Sequence, residues 1–394
     1  MITADAEGQK KIMIVAAEAS STHYAAGLMR AWQKENSEAK QNTSHYFFGV
    51  GSNEMEAMGF HRLGKSEEMA VVGIAEIIEH YGFLKNIFYN LLAEAKKVKP
   101  DIVILMDYPD FNLRLAKKLK AMGLKVFYYI SPQVWAWRKS RIYDIKRDCE
   151  KVFLLFPFEK TFYDNYNVPN EFVGHPLLDD LDDSLLDAEK NKFRRAKYGI
   201  SDNEKVLALM PGSRHSEIEQ HFELQQQVAK NLLLKHKNLR ILICVAPPLS
   251  KEYILQKLEN FNLPFILLKE DPNQMIALAD IVLVASGTAT LMVGLLEKPM
   301  VIMYKMKWLT GVLGSLLIRG VKYFGLVNLI LDEEAVPERK QNQATLGELT
   351  KLTDRYLTDE KYTQSVIKKL KKVKLSLGNK GAAVRVVEAL NKYL

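Results

Sequence analysis

Short aliphatic and β-branched runs alternate with helix-period segments along the whole chain. The runs are KIMIVAA (11–17), HYFFGV (45–50), DIVILMD (101–107), KVFYYI (125–130), KVFLLF (151–156) and EFVG (171–174). A second series comprises KVLALMP (205–211), LRILICV (239–245), PFILL (264–268), DIVLVAS (280–286) and PMVIMY (299–304). Runs that are apolar throughout, rather than alternating, predict strands buried on both faces and hence parallel sheets. Helical patterns such as HYAAGLMRAWQKEN, NLRLAKKLKAMG and EIEQHFELQQQVAKNLLLKH lie between them. The predicted class is α/β, doubly wound.

At 394 residues the chain exceeds one ordinary core. The break shows at 175–204, an acidic, polar stretch without strand signal, after which a new βαβ series begins at Lys205. The expectation is two Rossmann-like domains facing across a cleft, residues 1–174 and 175–360. A helical segment, 361–394, would cover a surface or return to the first domain.

Two apolar segments stand apart. In VVGIAEIIEHYGFLKNIFYNLL (71–92), Ile74, Ile77, Ile78, Tyr81, Leu84, Phe88, Leu91 and Leu92 form a helical stripe, with Phe83 and Ile87 outside it. A core face accounts for that stripe. In MKWLTGVLGSLLIRGVKYFGLVNLIL (306–331) cations punctuate apolar stretches, and both readings stand: core, or a segment lying in a membrane interface. The longest uncharged apolar run, WLTGVLGSLLI, has eleven residues, short of the roughly 20 that span a bilayer.

Composition narrows the partners. Hydrophobic content of 48% and charged content of 26% argue against disorder. Cys149 and Cys244 are far apart and belong to no CxxC pair, so neither a disulfide framework nor a zinc site is expected, and a reducing compartment is. The N-terminus has no signal-peptide pattern. The net charge of +8 favours an anionic partner. Residues 114–151 hold eleven Lys or Arg against three Asp or Glu, and 298–331 hold five cations and no acid.

In open parallel sheets ligands bind beyond the carboxyl ends of strands, and four such ends carry unusual residues. In MDYPDFN (106–112), Asp107 is positioned as a general base toward a hydroxyl, while Asp110 and Asn112 fit helix caps. In MPGSRHSEIE (210–219), Gly212, Ser213 and Arg214 combine helix-start amides with a guanidinium, an anion site. In ASGTATL (285–291), Ser286, Gly287, Thr288 and Thr290 crowd a turn after a strand and offer small residues and hydroxyls. Neither GxGxxG nor GxxxxGK[ST] occurs. The fourth, SPQVWAWRKSR (131–141), is expected to pack Trp135 and Trp137 under a turn with their N–H groups outward, leaving Arg138, Lys139 and Arg141 at a rim.

Together these stretches resemble the lipid-A-disaccharide synthase family of bacterial glycosyltransferases. The likeness rests on EEMAVVGIAEI, DYPDFN, YYISPQVWAWR, LFPFEKTFYDNYNVP, FVGHPLLD, LMPGSRHSEIE, ASGTATL and LVNLIL, in the family's order from about residue 11 to 390. The resemblance implies the GT-B fold, with the nucleotide held mainly by the second half. It implies transfer of 2,3-diacylglucosamine from UDP-diacylglucosamine to the 6-hydroxyl of diacylglucosamine 1-phosphate, with inversion, without metal or cofactor, at the cytoplasmic face of the inner membrane. It assigns Asp107 as base, and Arg214 with Gly212, Ser213 and Ser286 to Ala289 as the diphosphate site. Asn328 would organise the donor side, Glu18, Ser20, Asp110, Asn112 and Trp135 the acceptor side and its loop, Arg138 and Arg141 an acceptor phosphate or the membrane, and His175 the cleft. No nucleic-acid partner is expected, and a homodimer is left open. The chain departs from the family at AEASST (17–22), where Ala17, Ser21 and Thr22 replace two Gly and an Asp, at Met292 in place of Glu, and at Val327 in place of Pro. The competing readings are a UDP-sugar 2-epimerase on the same architecture and a non-catalytic lipid-binding relative.

Overall fold

In a computed structural model, residues 9–39, 44–69, 77–136, 138–259, 261–305 and 322–394 are described. Trp137, Ile74 and most of the 306–331 segment lie outside them. The chain forms two compact units: residues 1–179 with 378–394, and residues 180–377.

The first unit holds seven parallel strands in the order β3-β2-β1-β4-β5-β6-β7. They are β1 Lys10–Ala16, β2 His45–Gly51, β3 His61–Lys65, β4 Ile102–Met106, β5 Val126–Tyr129, β6 Lys151–Leu154 and β7 Asn170–Phe172. The second holds six, in the order β10-β9-β8-β11-β12-β13. These are β8 Lys205–Met210, β9 Leu239–Cys244, β10 Ile266–Leu268, β11 Ile281–Ala285, β12 Met300–Tyr304 and β13 Glu338–Lys340. All pairings are parallel. The α/β class is as the apolar runs predict. The sequence reading missed β3 (HRLGK) and β13 (ERK). Both are edge strands, and an edge covered on fewer sides carries no continuous apolar run.

The boundary falls after Asp179 rather than at His175, because the Asp179 carboxylate accepts from the amides of Gly381 and Ala382 and ties that turn to the first unit. The returning segment begins at Gly378, not at 361; the helix Glu360–Ser376 belongs to the second unit. The last helix, Ala382–Asn391, packs on Ala19–Ala39, where the Trp32 indole donates to Asn391 at 2.9 Å.

In the helix Ile77–Val98 the side chains of Ile77, Ile78 and Tyr81 lie outside the described residues. Among the rest, Leu91 of the predicted stripe is buried together with Ile87, Ala95 and Val98, and Leu84, Phe88 and Leu92 are partly covered against the same core. Ile87 is drawn inward because it packs against Gly64 on β3, the strand that the pattern did not reveal. Leu84, Phe88 and Tyr89 instead line a groove of about 360 Å³ with Tyr108, Phe111 and Arg114.

Candidate functional site

Each sheet reverses its winding once, and each reversal carries one group of candidate residues. In the first unit β1 lies between β2 and β4, with Ala16 beside Met106. The chain leaves these adjacent strands through Glu18 and Asp107, so topology alone brings two carboxylates to one switch point.

The turn after β4 is unusual. Asp107 (φ 48°) and Tyr108 (φ 46°) are both left-handed, as is Ile130 (φ 62°) at the end of β5, a conformation that costs energy in residues with a Cβ. Hydrogen bonds hold it in place. The Asp107 amide donates to Ile130 O at 3.3 Å, and Asp107 O accepts from Tyr128 Oη at 2.6 Å and Asn112 Nδ2 at 2.8 Å. Asn112 also donates to Met106 O at 3.0 Å. Asn112 is therefore a fully buried clamp on the turn, not a helix cap. The helix Pro109–Ala121 starts at Pro109 without a side-chain cap, so Asp110 is not a cap either. Asp110 pairs with Arg138 at 3.0 Å and with Arg141. The same exposed carboxylate thus holds both arginines at the rim of the loop.

Asp107 lines a pocket of about 230 Å³ with Ser131, Pro132, Val134, Arg141, Phe156 and Glu159. Burial pushes its carboxyl up to about 6, and the charge of Glu18 pushes the same way. A carboxylate tuned toward neutrality at a strand end has the properties of a general base. Glu18 is half-buried and Ser20 exposed. Ser21 closes a turn with Glu18, accepting from Glu18 N at 3.0 Å and donating to Glu18 O at 2.8 Å.

The Trp loop is braced, but not as expected. Trp135 turns its N–H inward, donating at 3.3 Å to Glu159, and meets Phe158 edge-on at 5.1 Å. Glu159 is buried and also accepts from the amides of Leu155 (3.2 Å) and Phe156 (3.1 Å); burial pushes its carboxyl up to about 7. The sequence reading passed over it. Its only signal was the FPFE spacing, which puts Glu three residues after Phe156, at the reciprocal position of a helix start. His175 is buried within the first unit between Tyr24 and Phe156, and its Nδ1 accepts from Leu177 N at 3.2 Å. It is a packing and capping residue there.

In the second unit the switch point lies between β8 and β11, where Met210 pairs with Val284. The two predicted turns are thus neighbours, and they line one cavity of about 240 Å³. Its wall includes Gly212, Ser213, Ser286, Gly287, Thr288 and Ala289. Met210, Cys244, Met275 and Met292 add apolar surface, and Glu217 the single ionisable oxygen pair. Helices His215–Lys235 and Thr288–Leu295 start at this cavity, so their first amides lack intrahelical acceptors. Arg214 is exposed and stands outside the wall.

Asn328 also stands outside it. Fully buried, it exchanges hydrogen bonds with Val336 (2.9 and 3.0 Å) and reaches Glu338. Glu338 takes the amides of Phe324 and Gly325, and Phe324 O accepts from Ser286. Asn328 therefore supports the Ser286 turn through the backbone instead of facing the cavity.

A UDP-GlcNAc 2-epimerase from Neisseria meningitidis, solved with UDP-GlcNAc bound, has this fold: TM-score 0.65 at 14% identity, over 97% of this chain and all of that one. Two parallel α/β sheets, each with its pocket at the carboxyl ends of the strands, make the class of the fold GT-B. The profile of the lipid-A-disaccharide synthetase family matches residues 12–387, and the chain belongs to that family. Lipid-A-disaccharide synthase 1 of Legionella pneumophila strain Philadelphia 1 is 38% identical over 374 residues, 94% of each chain. The synthase of Geobacter metallireducens is 35% identical over 377 residues, 96% of this chain and 95% of that one.

Proposed function

We propose that the chain transfers a 2,3-diacylglucosaminyl group from its UDP derivative to the 6-hydroxyl of 2,3-diacylglucosamine 1-phosphate. Asp107 removes the hydroxyl proton as that oxygen attacks the anomeric carbon; the bond from that carbon to the diphosphate breaks, its electron pair leaving with UDP. Attack opposite the leaving group inverts the anomeric centre. The amides after Gly212 and Gly287, with Arg214, meet the charge that develops on UDP. The first unit takes the acceptor and the second the donor.

The observation that carries this reading is the meeting of Gly212–Ser213 and Ser286–Ala289 on one cavity at a switch point, where ligands bind in open parallel α/β sheets. The groove at Leu84, Phe88 and Tyr89, flanked by Lys85 and Arg114, supports contact with acyl chains and with an anionic membrane face, the inner leaflet in this reading. No described helix is long and apolar enough to cross a membrane.

The test is release of UDP by the purified chain from UDP-diacylglucosamine, with and without the acylated monosaccharide 1-phosphate. Release that requires the acceptor, with a disaccharide 1-phosphate as the second product, is expected. Conversion of the UDP-sugar to its 2-epimer without acceptor would reject the proposal.

A further inference from the structure

The donor turn is already engaged by an anion of the chain's own. Glu217 Oε2 accepts from the amide of Ser213 at 2.7 Å and from that of Arg214 at 3.2 Å, and lies 3.5 Å from Ser213 Oγ. These are the donors to which the transferase reading gives a phosphate oxygen. One N–H cannot serve a carboxylate and a phosphate at full strength, and two anions on one pair of amides repel. The carboxylate also dictates the residue at 212. Gly212 has φ 132°, and a Cβ there would come within 2.5 Å of both Glu217 Cβ and Oε2.

We propose that Glu217 is a positioning residue that acts as a stand-in for the donor's diphosphate. It holds the Ser213 and Arg214 amides aimed into the cavity while the donor is absent and gives them up when a nucleoside diphosphate arrives. This rests on the reading of the cavity as the donor site and adds to it the group that must move. Two consequences follow. The turn needs little reorganisation when diphosphate binds, because its amides are already set around an oxygen. Diphosphate affinity is also held down, because each binding event must displace a bonded carboxylate; that favours release of UDP after transfer. A Glu that merely caps the helix His215–Lys235 would support diphosphate binding instead of opposing it, so the sign of the effect separates the two roles.

The experiment is calorimetric titration of the full chain with UDP and with uridine, for the wild type, Glu217→Gln, Glu217→Ala and Arg214→Ala, with a melting curve for each. Removing the competing charge is expected to tighten UDP by about tenfold in Glu217→Gln, the scale of one charge-assisted bond. Uridine, which has no phosphate, is expected to bind all variants alike. Glu217→Ala should also tighten UDP, at some loss of melting temperature, and serves if the Gln variant folds poorly. UDP binding that is unchanged or weaker in both Glu217 variants, while Arg214→Ala weakens it, overturns the stand-in role and leaves the donor site intact. A wild type that does not bind UDP, or binds it independently of Arg214, overturns the donor reading and this inference with it.

Discussion

The two switch-point pockets occupy equivalent places in their sheets yet are built from opposite materials. The pocket of the first unit has two carboxyls pushed toward neutrality, the half-buried Asp107 and the buried Glu159, and three left-handed residues around its turn. The cavity of the second unit has glycines, small hydroxyl residues, helix starts and a wall of methionines. Its thiol, Cys244, is pushed up to about 12 by burial and is inert. The difference fits what each pocket would handle under the proposed function. A proton acceptor must change charge, so its surroundings tune a titratable group. A leaving diphosphate gains negative charge as its bond to the sugar breaks, and fixed amide dipoles, with the Arg214 guanidinium, are suited to meet that charge without any group having to titrate.

The largest expected effect breaks the first pocket at its centre. Asp107→Asn keeps shape but removes the acceptor, and the transfer rate should fall about 10²–10⁴-fold, read as kcat in the UDP-release assay. Stability should move the other way. The folded carboxyl titrates near 6, above the usual range near 4. Its contribution is therefore fully present below about pH 4 and lost as pH rises through 6. At pH 8 the ionised group costs the fold up to about 3 kcal/mol, less whatever solvent access relieves. The Asn variant should thus melt higher than the wild type at pH 8 and not at pH 4. An active Asn variant would end the base assignment.

How the pockets were legible differs in the same way. PGSR and SGTA could be read from sequence, because bare amides need Gly, Ser and Thr at a strand end, and those residues announce themselves. Asp107 stood out for a different reason, as a carboxylate at the end of an apolar strand. Its support did not. Tyr128 lies in an apolar run and is indistinguishable there from a core residue until its hydroxyl is seen on Asp107 O. Asn112 and Asp110 looked like caps, since helix-start residues and clamps share the same side chains. Asn328 was placed on the donor side by the family resemblance alone; its side chain meets the backbone of Val336, eight residues on. The two missed strands lie at sheet edges, where the pattern that reveals central strands fades. Sequence thus exposed the groups at the strand ends and concealed the long-range contacts that aim them.

A smaller effect sharpens the contrast by testing whether Glu159 is held as an anion. Trp135→Phe keeps a ring against Phe158 but removes the N–H that donates to Glu159. That donor lowers the Glu159 carboxyl against the larger, opposing effect of burial. Losing it raises the folded value further above about 7, so the charged form bears the cost, and the loss of stability grows as pH rises through that value. A deficit of about 2 kcal/mol is expected at pH 8.5, with much less at pH 5.5, where Glu159 is protonated in both proteins. Melting curves at the two pH values check it. Equal deficits would mean that the indole contributes packing alone.

The smallest effect concerns Glu18, the second carboxylate at the first switch point. Its charge raises Asp107, but burial is the larger cause. Glu18→Gln removes the like charge and leaves the burial, so the Asp107 carboxyl falls while staying above the ordinary carboxylate range. A general base works only when ionised, so kcat/KM declines as pH drops through its value. The midpoint of that acid limb should lie near 6 in the wild type and move to lower pH in Glu18→Gln. The same substitution should leave UDP affinity unchanged, since the donor turns belong to the other sheet. A limb that stays in place would show that Glu18 does not act on Asp107 through charge. A limb that moves upward would mean that Glu18 stabilises the ionised base, and with that sign the tuning described for the first pocket would be wrong.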